Sequence, residues 1–273
     1  TIPYMYASQG GPSTCTNDLM EALYNIGTHV DLLSSKPDTR NRFNSEVVLG
    51  EGRPWIKLLE CDYRTPLGLS KNIDKFLKEM KYELYHANTL WLYTTRATCH
   101  YARKNGKPYV LSTHGMLYPS ALKKSSWKKK LMGALWYNKD IIKATCIHAT
   151  CKKEMEYVRL YGYKGPIALI PNPVVFPQEV SLGLRNKKSK YRIQGKKQIG
   201  FLGRLHPIKK VENIIYAMDL LNVDEREQLT LQVMGKFDNR YEAFLRAEAK
   251  RLKLEDCVTF VGFVSGIEKY ERL

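Results

Sequence analysis

The chain has 273 residues, of which 44% are hydrophobic and 26% are charged, a composition typical of globular proteins. Lys and Arg number 44 against 27 Asp and Glu, so the formal net charge is +17. That excess favours anionic partners such as nucleic acid, an acidic membrane face or phosphate-bearing small molecules, without choosing among them. No apolar run approaches the roughly 20 residues of a membrane-spanning helix.

The predicted strands and helices alternate up to Pro171. Strands are predicted over 28–34, 82–87, 107–112, 145–149 and 167–171, and helices over 16–25, 88–105, 120–137 and 152–161. Such alternation indicates βαβ units and a parallel sheet. We therefore predict an α/β domain, Rossmann-like in its order of elements, over residues 1–172.

The composition changes after Pro171-Asn172-Pro173. Gly, Pro, Asn and a run of Lys and Arg predict a linker or hinge over 173–197. A second series then begins, with strands at 198–202, 229–234 and 258–261 and helices at 211–221 and 241–252. Parallel sheets commonly have more than three strands, so we expect the second domain, 198–273, to be incomplete.

The six cysteines include no C-x-x-C pair, which argues against a disulfide framework or a zinc ribbon. Cys146 and Cys151 flank a segment that also holds His148, the nearest approach to a metal site. Its alternation is typical of a strand entering a helix, so we interpret both as buried or half-buried thiols and assign no metal ligand. Reduced thiols fit a cytoplasmic protein.

Two glycine-containing segments could bind an anion. Gly10 and Gly11 precede the first predicted helix, whose backbone N–H groups and dipole attract negative charge; the alternative is a tight loop capped by Ser13 or Thr14. Arg204 and Lys209 follow a strand, at the sheet edge where open α/β folds bind ligands. A guanidinium and an ammonium there suit a diphosphate, and the alternative is a solvated basic loop.

His114 follows a predicted strand and precedes Gly115, which suits a residue in a cleft. The alternative is a histidine without a functional role, whose ring nitrogens form hydrogen bonds within a core or loop.

A cluster of lysines surrounds Trp127 at the start of a predicted helix. The cluster consists of Lys123, Lys124, Lys128, Lys129 and Lys130. Leu131 and Leu135 continue an apolar stripe from Trp127 at spacing four, and Met132 and Trp136 widen it. Such a helix can lie on an anionic bilayer or track a nucleic-acid backbone. The alternative, which the apolar stripe favours, is a helix packed on its own domain with its lysines in water.

Together these segments resemble the retaining GT-B glycosyltransferases of family 4, also called group 1. The similar landmarks occur in the family's order and are Gly10-Gly11-Pro12 with 26–30, then 109–115, 149–154, 170–174, 203–209 and 260–264. The resemblance implies two Rossmann-like domains facing a cleft, with the C-terminal one incomplete. It also implies transfer of a sugar from a nucleotide-diphosphate donor to a glycan or lipid-linked acceptor, in polysaccharide or lipopolysaccharide assembly at the cytoplasmic face of a membrane.

The resemblance also implies the roles of individual residues. Arg204 and Lys209 would hold the diphosphate, Gly10 and Gly11 would close against phosphate and acceptor, His114 would bind the transferred sugar, and Val264 would meet the base through its backbone. No metal or other cofactor is expected, because fixed cations and backbone amides would take the charge of the leaving group.

Three departures from the family pattern accompany the resemblance. Lys210 stands where the family commonly has Gly, Pro173 replaces the Gly of "P-N-G", and the family's paired glutamates would follow Leu273. We therefore expect these 273 residues alone not to catalyse transfer. The rival hypothesis is a basic nucleic-acid-binding α/β protein, although no motif of that class is present. A related GT-B phosphorylase would need a cofactor lysine site, which we do not find.

Overall fold

The computed structural model describes residues 1–6, 10–36, 47–60, 70–123, 126–175, 191, 193–236, 239–264 and 266–272. Lys124 and most of the predicted linker lie outside the described residues, and the side chain of Lys128 is also not described. The chain divides into two units, Thr1–Val175 and Phe176–Leu273, and all strands of both units run parallel to their neighbours.

Unit 1 has the alternating order that the sequence predicts. Its elements are α1 (Gly11–Asn25), β1 (Leu32–Ser35), β2 (Ile56–Leu59), α2 (Lys71–Glu79), β3 (Tyr85–Asn88), α3 (Tyr93–Lys104), β4 (Tyr109–Ser112), α4 (Pro119–Lys123), α5 (Ser126–Met132), a π-helical turn (Gly133–Tyr137), α6 (Asn138–Ile142), β5 (Cys146–Ala149), α7 (Lys152–Leu160) and β6 (Ile167–Leu169).

The N-terminal residues join the two sheets of unit 1, β1-β2 and β3-β4-β5-β6. Thr1 accepts a backbone hydrogen bond from Asn88, and Ile2 donates one to Leu33. The segment therefore lies between β1 and β3 and links them into one hydrogen-bonded layer. Strands β3 and β4 pair directly, so their carboxyl ends lie side by side, with Asn88 opposite Ser112.

The main core of unit 1 lies between this layer and its helices. Tyr109 and Leu111 of β4 are fully buried, and α3 presents small residues at its buried positions, including Ala97, Cys99 and Ala102. Small side chains let a helix approach the sheet closely, and each large apolar side chain buried there contributes about 1.5–3 kcal/mol to folding.

Helix α1 begins at Gly11, five residues earlier than predicted, because Pro12 suits the first turn of a helix, where no backbone donor is needed. The predicted cap at Ser13 or Thr14 is wrong. Gly10 is the N-cap residue, whereas the Ser13 hydroxyl donates to the Tyr4 carbonyl and the Thr14 hydroxyl to the Gly10 carbonyl.

Unit 2 has a three-stranded parallel sheet in the order β7-β8-β9. Its elements are β7 (Lys197–Leu202), a 3₁₀ turn (Pro207–Lys209), α8 (Glu212–Asp219), α9 (Val223–Glu227), β8 (Leu229–Met234), α10 (Asn239–Arg251), a 3₁₀ turn (Glu255–Cys257), β9 (Val258–Gly262) and α11 (Glu268–Glu271). The core packs Leu231 and Val233 of the central strand against Ile215 of α8 and Leu245 of α10.

Candidate functional site

His114 lies in a tight turn directly after β4. Its φ is +47° and that of Gly115 is +73°, so two successive residues adopt the left-handed conformation. This conformation is unfavourable for a residue with a side chain and persists only when its surroundings fix it.

Glu154 of α7 fixes this turn. Its Oε1 accepts hydrogen bonds of 2.6 Å from both the Thr113 hydroxyl and the Gly115 backbone N–H. Its Oε2 accepts two more, each of 2.7 Å, from the backbone N–H and hydroxyl of Thr150. Burial alone would raise the pKa of Glu154, but these hydrogen bonds outweigh it and leave the pKa below its usual value.

Sequence reasoning gave Glu154 no role. Its segment was one of the landmarks of the resemblance, but nothing in the spacing connects it to His114. A buried carboxylate four residues after Thr150, at the start of a helix, was the pattern that could have pointed to it.

The imidazole of His114 is neutral and has a defined tautomer. Its Nε2 lies 3.0 Å from the Asn88 side-chain oxygen, and the Asn88 amide nitrogen donates to the Thr1 carbonyl. That second bond fixes which end of the amide faces His114, so Nε2 carries the proton and Nδ1 keeps a lone pair. Burial lowers the pKa of His114 to about 4.

A hydrogen-bonded row of side chains runs across the sheet beside this turn. His86 Nε2 lies 2.7 Å from Ser112 Oγ, which lies 2.9 Å from His148 Nδ1. His148 Nε2 in turn donates to the Ile170 carbonyl at 2.8 Å. Burial, followed by the charge of the N-terminal amine, lowers the pKa of His86 to about 3. His86 is therefore neutral, and the row ends at the Ile170 carbonyl, which accepts from His148.

Gly10 and Gly11 lie at the N-terminus of α1. Gly10 has a φ of +75°, which glycine adopts freely, while a Cβ on either glycine would meet nothing within 4 Å. Glycine is thus favoured at position 10 by the backbone conformation and not by a lack of space for a side chain. The 15-residue helix has no acidic residue in its first turn and no side-chain cap, so its positive dipole end is available to an anion.

In unit 2, the loops that follow β7 and β8 are each hydrogen-bonded to the end of the neighbouring strand. Gly203 donates to the Met234 carbonyl, and Gly235 donates to the Gly262 carbonyl at 2.7 Å. A Cβ on Gly235 would lie 1.8 Å from the Gly203 carbonyl oxygen. Position 235 therefore accepts only glycine. Because residue 235 has no side chain, the loop that begins at Gly203 can lie directly against the backbone that follows β8.

Arg204 and Lys209 are both exposed on this loop. Leu205 between them is fully buried, and His206 Nδ1 accepts from the Ile208 backbone at 3.3 Å. Within the part of the chain that the structure describes, neither cation has an ion pair or a side-chain hydrogen bond. The loop therefore has a fixed backbone and two cations available for a ligand.

Lys210 ends the 3₁₀ turn with a φ of +54°. Glycine adopts this conformation without cost, which is the physical reason for a family preference for glycine here. Lys210 instead gains an ion pair with Glu212 at 3.5 Å.

Val264 follows β9 and is buried, whereas its neighbour Phe263 is exposed. Among the described residues, the backbone N–H and C=O of Val264 have no hydrogen-bond partner. The role of Val264 in contacting a base therefore stays a prediction.

The expectation that the apolar stripe of the lysine-rich segment packs on its own domain is wrong for Trp127, Leu131 and Leu135, which are largely exposed, and right for Met132, which packs against the core of unit 1. Trp127, Leu131 and Leu135 are 67%, 53% and 57% exposed. The core-facing side of the segment is instead formed by Met132 and Tyr137, because the predicted 18-residue helix is divided into α4, α5 and a π-helical turn that reorients the helix face.

The lysines around Trp127 differ in their environments. Lys123 and Lys130 are exposed. Lys129 is half-buried, donates to the Ala121 carbonyl at 2.5 Å and lies 5.9 Å from the centre of the Trp91 ring. Lys129 therefore also connects α5 to the rest of unit 1.

The cysteine prediction is partly wrong, because Cys151 is exposed while Cys146 is half-buried. Cys151 lies at the start of α7, where its side chain points into solvent near the Tyr118 hydroxyl at 3.4 Å. Across the described ranges, no group of three or more His, Cys, Asp or Glu side chains could hold a metal ion. No helix in those ranges has the length and hydropathy of a membrane span.

A model of the family described as Glycosyltransferase Family 4 matches residues 9–175. The chain belongs to this family. A second model, described as Glycosyl transferases group 1, matches residues 185–273. No curated protein matches the chain.

Several solved structures resemble this chain over most of its length. The Anabaena protein HepE, determined with UDP and glucose, has a TM-score of 0.63 at 18% identity, over 94% of this chain and 66% of its own. Sucrose-phosphate synthase from Thermosynechococcus elongatus has a TM-score of 0.61 at 21% identity, over 96% and 66%. WaaG, described as a glycosyltransferase involved in lipopolysaccharide biosynthesis, has a TM-score of 0.63 at 15% identity, over 99% of this chain and 70% of its own. The predicted α/β class and GT-B fold are confirmed, and the chain spans about 66% of the length of the first of these structures.

Proposed function

We propose that this chain is the greater part of a retaining glycosyltransferase, of the hexosyltransferase type, that moves a sugar from a nucleotide-diphosphate donor to a glycan or lipid-linked acceptor. The observation that carries the proposal is the loop of Arg204 and Lys209. In a chain of this family, two exposed cations on a fixed backbone at the carboxyl ends of parallel strands suit a leaving diphosphate. HepE, which has the same fold, is described in complex with UDP-glucose.

His114 suits contact with the transferred sugar. An imidazole that is neutral at pH 7 adds no positive charge beside a sugar that develops positive character, and its Nδ1 lone pair can accept a hydrogen bond from a sugar hydroxyl. Gly10 and Gly11, at the positive end of α1, would meet phosphate and acceptor.

The proposed reaction needs no metal ion, because Arg204 and Lys209 would neutralise the charge that develops on the leaving diphosphate. Transfer that continues in excess chelator would support this, and loss of transfer that Mg²⁺ or Mn²⁺ restores would contradict it.

The proposed setting is polysaccharide or lipopolysaccharide assembly at the cytoplasmic face of a membrane. WaaG supports the pathway by its description. The five described cysteines are all unpaired, as is usual for proteins in reducing compartments. The chain does not supply the paired glutamates, so we propose that the 273 residues alone are inactive.

A transfer assay tests these proposals together. The 273-residue chain and a version extended to the full length of the HepE structure are incubated with UDP-, GDP- and ADP-sugars and a lipid-linked acceptor. We expect transfer by the extended version alone, with the anomeric configuration of the donor retained in the product by NMR. Inversion, or transfer of no sugar by the extended version, would contradict the proposal.

We also propose that the exposed face of α5 and the π-helical turn, formed by Trp127, Leu131 and Leu135 among lysines, docks on an anionic membrane. The observation that favours this is the exposure of three large apolar side chains beside Lys123 and Lys130. Apolar residues insert at the headgroup boundary while lysines meet anionic lipid. Sedimentation with anionic and neutral liposomes, at low and high salt, separates the two contributions.

A further inference from the structure

A cavity of about 280 Å³ opens on the helical side of unit 1, between α2, α3 and the π-helical turn. Its lining residues are Asp74, Tyr93, Arg96, Ala97, His100, Trp136 and Tyr137. Neither His114 nor the glycines of α1 contribute to it. Small-molecule sites span roughly 300–1,000 Å³, so the cavity suits a single ring-sized group.

The apolar walls of the cavity are mostly aromatic, and Tyr137 among them is fixed by contacts with the protein interior. Tyr137 is buried and donates from its hydroxyl to the Leu92 carbonyl at 2.8 Å, and its ring lies 5.3 Å from that of Trp91. Trp136, in contrast, is 39% exposed. A fixed aromatic floor with one exposed indole at its edge offers flat faces to a ligand.

The polar groups of the cavity are fixed but incompletely paired. Asp74 Oδ2 accepts a hydrogen bond from the Tyr93 hydroxyl, and Oδ1 has no partner in the part of the chain that the structure describes. Arg96 Nη1 bonds the buried Asp140 at 3.1 Å, which leaves Nη2 directed at His100 Nδ1 at 3.4 Å. Asp74 Oδ1 therefore remains for a ligand as an acceptor, and the second N–H of Arg96 Nη2 remains as a donor.

We propose that this cavity binds one unit of a neutral carbohydrate, at a site separate from the transfer reaction. Aromatic faces pack against the C–H faces of a pyranose, while a carboxylate and a guanidinium each reach its hydroxyl groups. Asp74 and Arg96 both line the cavity and give it one acidic and one basic group, which favours a ligand that is rich in hydroxyls and carries no net charge.

A phosphate or a lipid headgroup is the less suitable occupant. The Asp74 carboxylate would lie against any anion in the cavity, and like charges in a partly buried site repel. The guanidinium of Arg96 is already shared with Asp140, which also pairs with Arg103. The hydroxyl groups of a neutral saccharide would bind both the Asp74 carboxylate and the Arg96 guanidinium without that repulsion.

The proposal is tested by binding, without nucleotide or acceptor, so its outcome does not depend on the transfer reaction. Trisaccharides of glucose, galactose, mannose and N-acetylglucosamine are titrated into the protein and followed by saturation-transfer NMR and calorimetry. We expect at least one to bind, Trp136→Ala to weaken it tenfold or more, and Asp74→Asn to weaken it several-fold. Leu160→Ala and Glu79→Gln, at exposed positions of unit 1 outside the cavity lining, serve as controls and should leave the affinity unchanged.

Four outcomes would overturn the proposal. They are binding of none of the trisaccharides, binding that survives both cavity substitutions, binding that the two controls weaken equally, and binding that saturating UDP abolishes. Inorganic phosphate and anionic vesicles form the other arm. If Trp136→Ala weakens their binding and not that of a saccharide, the cavity is an anion site. Loss of folding in Trp136→Ala is recognised by its melting curve, and Asp74→Asn, which keeps the side-chain shape, then decides the question.

Discussion

Glu154 Oε1 lies 2.6 Å from the backbone nitrogen of Gly115, a residue 39 positions away in the chain. Through this bond and the one from Thr113, the start of α7 holds the turn that presents His114. Because His114 and Gly115 both adopt the left-handed conformation, the turn depends on that carboxylate more than on its own sequence.

Glu154→Gln should therefore be strongly destabilising. Glutamine offers one acceptor oxygen where the glutamate offers two, so one pair of donors would face an amide NH₂ group. Loss of a buried hydrogen bond to a charged group costs about 1.5–3 kcal/mol, and we expect the free energy of unfolding in urea to fall by at least that amount. Glu156→Gln, on an exposed residue of the same helix, is the control. Equal stability of the two variants would show that the carboxylate does not hold the turn.

His114 should remain neutral to about pH 4, with its proton on Nε2. Long-range nitrogen–proton NMR distinguishes the two tautomers and the imidazolium, and His114→Asn identifies the signal. The pattern of the Nε2-protonated ring should persist from pH 7 to pH 5. An imidazolium at pH 6, or a proton on Nδ1, would contradict the proposed use of Nδ1 as the acceptor for a sugar hydroxyl.

The lowered pKa values of His86 and His114 make stability depend on pH. Their folded values of about 3 and about 4 lie below the ordinary value of roughly 6.5. As pH falls below that value, the unfolded chain binds protons that the folded protein does not, so the free energy of unfolding decreases. The expected slope is about 1.4 kcal/mol per pH unit for each histidine.

Urea unfolding between pH 6.5 and pH 5 measures this slope. His86→Gln should reduce it by about 1.4 kcal/mol per pH unit, the contribution of one histidine. The slope, rather than the absolute stability, is the readout, because the substitution also alters the row through Ser112. A slope that the variant leaves unchanged would show that His86 is protonated in the folded protein.

Membrane docking predicts a specific effect of charge. Each basic residue near an anionic surface contributes about 1 kcal/mol, so Lys123→Glu with Lys130→Glu should weaken binding to anionic liposomes by a hundredfold or more. Lys129 is left intact because it bonds Ala121 within unit 1. Lys152→Glu with Lys153→Glu on α7 is the charge-matched control. Comparable losses in both pairs would show that net charge alone, and not this face, drives binding.

Much of the sheet could be predicted from the sequence. Strand β8 has its predicted bounds of 229–234 because Leu229, Leu231 and Val233 alternate with Thr230 and Gln232, with charged or turn residues on either side of the segment. Strand β1, in contrast, begins at Leu32 and not at residue 28. No element was predicted at β2 or α2, where strand and helix are both short and the apolar positions are interrupted by lysines.

The site could be predicted only in part. Arg204, Lys209 and His114 stand out because each lies next to a strand end, which is a local property of the sequence. Glu154 could not be assigned a role, because its partners lie far away in the chain. The exposure of Trp127 was also beyond prediction, because helical periodicity shows which residues share a face and not whether anything covers that face.

Nucleotide binding tests the central claim most directly. Calorimetric titration of the chain with UDP, GDP and ADP should show binding of at least one of them. Arg204→Ala and Lys209→Ala should each weaken that binding by about 1.5–3 kcal/mol, or roughly 10- to 150-fold, while Lys250→Ala in the same unit should not. Binding of a single-stranded oligonucleotide in place of all three nucleotides, or nucleotide binding that both cation variants retain in full, would contradict the account.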